Sequence, residues 1–275
     1  MRNALAARCL HWHWSAMEDG RITPLEGVHN FRDYGGYGVA NGGRLRKGLL
    51  FRSGQHTNAT DRDLATIGAI PFAAIVDLRG GPERASYPCR RAPGFAGEVF
   101  FDDRDSASLP PHLQGDLASM NEDEMRERMR ENYRGLPFRS SIATMLKTYF
   151  DVLGKAEGPS LIHCFAGKDR TGISVALLHK LAGVHPDDIM HDYLLTNEAS
   201  DRRKHMEEIG EFMQSRWGKM SEAGLYVMSG VYPEWLDAAF DSLLERCGSF
   251  DAFFAERVGI DDARREAILA RVIES

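Results

Sequence analysis

The sequence predicts an α/β fold: a central parallel sheet flanked by helices, followed by a helical C-terminal half. Three observations predict it. Apolar runs of strand length recur at LLFRS (49–53), FAAIVDL (72–78) and SLIHC (160–164). Helix-opening signals stand between those runs, and beyond Gly183 the chain reads as helix almost throughout. Strands that alternate with helices pair in parallel, because the crossover helix carries the chain back to the same end of the sheet.

Taken in order, residues 27–43 (GVHNFRDYGGYGVANGG) are rich in glycine and aromatics, which suits turns and short hairpin pieces. Residues 49–53 read as a short buried strand, and Thr60 with Asp61 and Asp63 opens a helix whose acidic first turn suits its dipole. The near-continuous apolar run 72–78 is a second strand, and 97–101 a weaker third. Residues 109–135 differ in character. Pro110-Pro111 is followed by NEDEMRERMRENYR, a helix with Glu122–Arg126 and Glu124–Arg128 at i,i+4 and with Met125, Met129 and Tyr133 on one stripe. It is either a solvated helix resting on the core by that stripe or a helical lid over a site. A helix over 138–153 leads to the strand 160–164; TGISVALLHKLAG is a buried helix stopped near Gly183, and Pro186 with Asp187 and Asp188 starts the next. Further helices are expected from Pro233 to Cys247 and from Asp261 to Ile273, with no internal repeat.

Composition bounds the function. A chain of 275 residues, 43% hydrophobic and 27% charged, is ordinary globular material, read as one domain over 21–275 behind a loose leader, 1–20. Met17 is a candidate start, and His11 and His13 between Trp12 and Trp14 are read as tail, not as a metal site. A net charge of −6 argues against a general nucleic-acid binder, and no apolar run reaches the roughly 20 residues of a membrane span. The four cysteines, Cys9, Cys89, Cys164 and Cys247, show neither CxxC pairing nor zinc-ligand spacing, which fits a reducing cytoplasm and no metal. Oligomeric state leaves no signal in the sequence.

The chemistry is concentrated in His163-Cys164-Phe165-Ala166-Gly167-Lys168-Asp169-Arg170-Thr171-Gly172. A cysteine six positions before an arginine is weak evidence alone; its place between a strand and a helix makes it strong. A short loop that closes on a helix N-terminus turns successive backbone N–H groups of Phe165 to Arg170 inward, a nest for the oxygens of a phosphoryl group. Gly167 permits the tight curve. Phosphate esters resist anionic attack unless their charge is neutralised and the nucleophile is already ionised, and helix N-termini with nearby cations favour the thiolate of a cysteine such as Cys164. Arg170 is a planar, permanently charged fork for two phosphoryl oxygens. Thr171 is placed to donate to the sulfur, Lys168 to add a cation at the loop rim, Asp169 to orient Arg170 or a neighbouring loop, and His163 to fix the loop backbone. The same loop also suits a module that holds phosphorylated ligands without turnover. A sulfurtransferase is disfavoured, since persulfide chemistry does not call for this glycine, arginine and hydroxyl.

The loop HCFAGKDRTG resembles the active-site signature of cysteine-based tyrosine phosphatases, and its lysine and aspartate resemble the atypical bacterial branch. NFRDYGGY (30–37), LLFRSG (49–54), IVDLRGGPE (75–83), NYRGLPF (132–138) and DYLLTNE (192–198) resemble that family's other blocks, in order, so that the likeness spans about 22–270. The resemblance implies a phosphatase-like central sheet, a two-step mechanism through phosphocysteine, no cofactor, and a helical lid that falls on 109–135. It also implies phosphotyrosine substrates, often phosphoserine and phosphothreonine as well, and in some members phosphoinositides. The family places its general acid, an aspartate, after the strand that follows DLR. Here that loop is Phe101-Asp102-Asp103-Arg104-Asp105-Ser106, without the family's usual proline and with three aspartates. The family spacing favours Asp105, with Asp102 and Asp103 as the alternatives. Arg32, Arg52, Asp77 and Arg79 fall inside the resembling blocks and are read as structural ties between loops.

Overall fold

The computed structural model describes residues 20–275 except 105–116, 200–205, 208–209 and 213–217. Its strands are β1 (Arg32–Asp33), β2 (Arg44–Leu45), β3 (Leu50–Ser53), β4 (Ala74–Asp77), β5 (Glu98–Phe101), β6 (Ser160–His163) and β7 (Ile273–Glu274). Five of them form the central sheet in the order β1-β3-β6-β4-β5. Pairing is parallel from β3 to β5, as expected. It is antiparallel between β1 and β3, where the 27–43 segment adds a short hairpin strand at the edge of the parallel sheet. No helix lies between β1 and β3, and without a crossover the chain can only turn back on itself.

The apolar runs bury both faces of the sheet by simple alternation. Leu50, Ala74, Val76 and Ile162 point into the larger core, and Phe51, Ile75 and Leu161 into a smaller one. The smaller core is closed by α1 (Asp61–Gly68), whose Thr60 and Asp63 form a capping box. After α2 (Gly81–Ser86) come α3 (Glu122–Gly135), α4 (Ser140–Lys155), α5 (Asp169–Ala182) and α6 (Pro186–Leu194). Beyond them lie α7 (Glu222–Met228), α8 (Pro233–Cys247), α9 (Phe250–Phe253) and α10 (Asp262–Val272). Helix α5 is buried on nearly every side and ends at Gly183, whose φ of 79° is the left-handed conformation that glycine adopts without strain.

Two expectations about helices are corrected. The last helix stops at Val272, because Ile273 and Glu274 pair antiparallel with β2 and tie the C-terminus to the N-terminal hairpin segment. The i,i+4 pairs of α3 are replaced by other partners: Arg126 pairs with Glu234 of α8, and Glu124 caps its own helix through the Asn121 N–H at 2.9 Å. The expected stripe holds. Met125, Met129 and Tyr133 are buried, so α3 sits on the core by that face, with the Trp235 indole N–H donating to the Arg126 carbonyl at 3.0 Å. Most of the leader, part of the expected lid (109–116) and Asp105 lie outside the described residues.

Candidate active site

Parallel register places Ser53, His163 and Asp77 side by side at the C-terminal edge of the sheet, where β6 hands over to the 164–168 loop and α5. This edge is where open α/β sheets bind ligands. Cys164 is buried at the first turn out of the strand. Helix α5 opens at Lys168 with no side-chain cap, so its first-turn N–H groups are left for an anion in the loop.

The loop's shape depends on Gly167. Its φ is 68°, and a Cβ there would lie 2.3 Å from the Ser53 carbonyl oxygen, so only glycine fits. Its carbonyl is turned outward and accepts from Asn30 Nδ2 at 2.7 Å and Arg52 Nη2 at 2.9 Å. The Phe165 carbonyl accepts the Gln55 N–H at 2.9 Å. With both carbonyls anchored outside, the intervening N–H groups are biased toward the concave side. Phe165 itself stacks on Phe212 at 4.0 Å and meets Tyr87 edge-on at 5.0 Å, an aromatic wall beside the loop.

Arg170 is held by a residue to which the sequence reading gave no role. Glu83, at the third position of α2, takes Arg170 Nη1 at 2.6 Å and Nη2 at 2.8 Å, and the Leu78 carbonyl takes Nη1 at 3.3 Å. Burial disfavours the guanidinium charge, and the Glu83 carboxylate more than offsets this, so its pKa is raised above the ordinary arginine value. The signal was there in GGPE: a proline-led helix start with an acid at its third position, which reads as a dipole feature until its partner is known.

Lys168 and Asp169 are corrections. Lys168 is buried, not at the rim; its Nζ bonds the Gly230 carbonyl at 3.2 Å and Asp169 Oδ1 at 3.3 Å, and lies 5.6 Å from the Trp235 ring centre. Asp169 turns toward α3 and accepts from the Tyr133 hydroxyl at 2.6 Å, which in turn accepts from Tyr193 at 3.0 Å. Burial and the adjacent Asp169 push the Tyr133 phenol well above its ordinary pKa and keep it a donor. The Thr171 hydroxyl is buried with no hydrogen-bond partner among the described residues, so its expected bond to the sulfur is not formed here.

His163 closes β6. It is buried, stacks on His56 at 5.5 Å, and places Nδ1 3.4 Å from the Cys164 carbonyl and Nε2 3.6 Å from Asp77. Burial lowers its pKa to about 4, with Asp77 only partly offsetting this, so the ring is neutral at pH 7 and only weakly basic. Asp77, Arg79, Arg32 and Arg52 are the structural ties the sequence suggested. Arg79 clamps Asp77 through Nε at 2.9 Å and Nη2 at 2.7 Å, while Asp192 joins Arg32 at 3.1 Å to Arg52 at 2.7 Å. Asp77, Cys89 and His163 bring possible ligand atoms within 4.8 Å of one another, but Arg79 already donates to Asp77 and to the Cys89 sulfur, the latter at 3.0 Å.

Of the three aspartates after β5, Asp102 is taken by Arg104 and Asp103 by Arg84. Hydrogen bonds from Arg104 hold the Asp102 carboxyl below the usual range.

A family model described as the tyrosine phosphatase family matches residues 23–274. The triple specificity protein phosphatase PtpB of Mycobacterium tuberculosis is 29% identical over 279 residues, covering 88% of this chain and 95% of that one. A provisionally named tyrosine-protein phosphatase of Cupriavidus necator is 29% identical over 283 residues, 94% of each chain. The crystal structure of P. aeruginosa TpbA aligns over 70% of this chain and 86% of that one at 17% identity, with a TM-score of 0.22, a likeness too slight to carry weight. The family match runs through every block that builds the loop: the chain belongs to the tyrosine phosphatase family and is a cysteine-dependent hydrolase of phosphotyrosine.

Proposed function

We propose that Cys164 is the nucleophile, Arg170 the phosphoryl clamp and Asp105 the general acid of a two-step hydrolysis through phosphocysteine. The observation that carries this is a buried cysteine at the floor of a loop whose backbone carbonyls are pinned outward, with Arg170 fixed in orientation by a bidentate carboxylate.

In the first step the Cys164 thiolate attacks phosphorus, the bond from phosphorus to the ester oxygen breaks, and Asp105 gives its proton to the departing alcohol or phenol. The N–H groups from Phe165 to Arg170, through Ala166, Gly167, Lys168 and Asp169, receive the equatorial oxygens, and the guanidinium balances their charge. In the second step the Asp105 carboxylate takes a proton from water, the water oxygen bonds to phosphorus, and the thiolate leaves with orthophosphate released. Thr171 favours that departure by donating to the sulfur once its hydroxyl turns. His163, neutral and stacked, positions the loop. Asp105 is preferred on the family spacing, and Asp102 and Asp103 are each already paired with an arginine.

The substrate reading extends from phosphotyrosine to phosphoserine, phosphothreonine and phosphoinositides, supported by the triple specificity of the mycobacterial relative. No helix among the described residues is long and apolar enough to cross a membrane. A thiolate nucleophile and the free Cys89, Cys164 and Cys247 suit a reducing cytoplasm.

Cys164→Ser is expected to abolish phosphate release from 4-nitrophenyl phosphate with the fold intact, and full activity in that variant overturns the mechanism. Asp105→Asn is expected to slow phosphotyrosine peptide far more than substrates with good leaving groups. An unchanged rate on phosphotyrosine peptide moves the role to Asp102 or Asp103.

A further inference from the structure

On the side of the sheet closed by α1, lined by Pro71 and Ala73 just before β4 and by Gly97 just before β5, lies a cavity of about 530 Å³. Small-molecule sites occupy about 300–1,000 Å³. Its walls are apolar, built from Ile67, Ile70, Phe72, Ile75 and Phe95, and two groups interrupt them: His56 and Arg91. The neighbouring Arg90 is committed, to the Ala59 carbonyl at 2.5 Å and to Asp61 at 2.6 Å. Arg91 makes only a 3.3 Å bond to the Arg90 carbonyl and meets no carboxylate among the described residues. The site therefore presents one uncompensated guanidinium at an otherwise oily wall.

We infer that this cavity binds a small amphipathic acid, one carboxylate on a compact hydrocarbon or aryl body, and that its occupancy changes turnover at the catalytic loop. The carboxylate pairs with Arg91 and the body packs on Ile70, Phe72 and Phe95. A single guanidinium beside a neutral imidazole balances one negative charge, which selects a carboxylate over a phosphate dianion. The link to the loop is short. His56 stacks on His163, the residue before Cys164; its Nε2 bonds Ser53 Oγ at 3.0 Å; and Gln55, next to it, holds the Phe165 carbonyl at 2.9 Å. An anion at Arg91 also removes part of the positive field that, after burial, holds His56 and His163 neutral.

The coupling rests on the proposed function; the binding site does not. The test is isothermal titration calorimetry with 4-phenylbutyrate and, as uncharged counterpart, 4-phenyl-1-butanol, on wild type, Cys164→Ser, Arg91→Gln and Ala96→Phe, with circular dichroism checking each fold. The acid is expected to bind wild type and Cys164→Ser alike. It is expected to lose about fivefold in Arg91→Gln, the size of a partly exposed ion pair, and to bind much more weakly in Ala96→Phe, which adds a ring at the cavity lining. Equal affinity for acid and alcohol, or an unchanged Arg91→Gln, overturns the carboxylate assignment. Displacement of the acid by orthophosphate locates it at the catalytic loop and overturns the site. Saturating 4-phenylbutyrate is expected to change kcat on 4-nitrophenyl phosphate about twofold or more in wild type and not in Ala96→Phe. Binding with unchanged kcat overturns the coupling, whereas intact binding in a protein that never turns over overturns the reading of the loop instead.

Discussion

Asn30 donates through Nδ2 to the carbonyl of Gly167 at 2.7 Å, across 137 residues of sequence. Arg52 shares that acceptor, and both donors are buried. A carbonyl held by two donors cannot swing inward, where it would replace an N–H with a lone pair facing the phosphoryl oxygens. Asn30 has φ of 59°, a conformation that asparagine and glycine tolerate and other residues rarely adopt.

That φ decides the choice of variant. Asn30→Gly keeps the backbone relaxed and removes the side chain, which ties the Gly167 carbonyl and also accepts from the buried Arg32 guanidinium, so a loss of activity reports both ties. We expect kcat/KM on 4-nitrophenyl phosphate to fall about 10- to 100-fold, with weaker orthophosphate inhibition and a stability loss of about 1–3 kcal/mol from the buried Arg32 donor left without its acceptor. Wild-type kinetics in this variant would show that Arg52 alone holds the loop.

Glu83 fixes the plane of the Arg170 guanidinium, and its own side chain is fully buried. Removing one partner of a buried pair leaves the other charge unpaired, at a cost of about 3–5 kcal/mol. Glu83→Ala should therefore lose stability on that scale in urea unfolding. Glu83→Gln retains one acceptor and should unfold closer to wild type, yet lose about 100-fold in kcat because the fork is no longer held on both prongs. If Glu83→Gln turns over normally, Arg170 is oriented by the loop and not by α2.

How far the sequence went follows from the range of each interaction. The strand runs at 50–53, 74–77 and 160–163 and the caps at Thr60 and Gly183 are local patterns, and the structure places them within a residue or two of expectation. What was missed is nonlocal. The β2–β7 pair joins Arg44 to Glu274, and Glu83 meets Arg170 across 87 positions, neither of which any local period encodes. Lys168 was read as a rim cation because lysines usually are. Its inward course is set by Gly230 and Trp235, both supplied far downstream.

Gly167 offers a sharper test of the loop than any charged residue. Gly167→Ala would place a methyl 2.3 Å from the Ser53 carbonyl at a φ of 68°, so the loop or β3 must move. Activity is expected to fall by at least about 1000-fold, with a stability loss of about 1–3 kcal/mol by urea unfolding. Retention of orthophosphate binding at wild-type affinity would mean that the nest does not depend on this curve.

Stability should also fall as the solution is acidified, in a window set by two buried imidazoles. Burial, first, lowers both His56 and His163, the latter to about 4, whereas an unfolded chain protonates its histidines near the ordinary 6.5. Between those values the unfolded state binds protons that the fold refuses, so unfolding becomes easier as pH falls, by about 1.4 kcal/mol per unit for each such group. For His163 this sums to about 3 kcal/mol by pH 4. Asp77 extends the decline. Burial opposes its charge, but His163 and Arg79 hold its pKa at about 2, so its contribution is present above the ordinary carboxylate value and is lost as pH falls from there through about 2. Urea unfolding of wild type and His163→Gln from pH 7.5 to 4.5 checks this. The variant starts less stable but should decline less steeply below pH 6.5, and parallel slopes for the two proteins would remove His163 from the account.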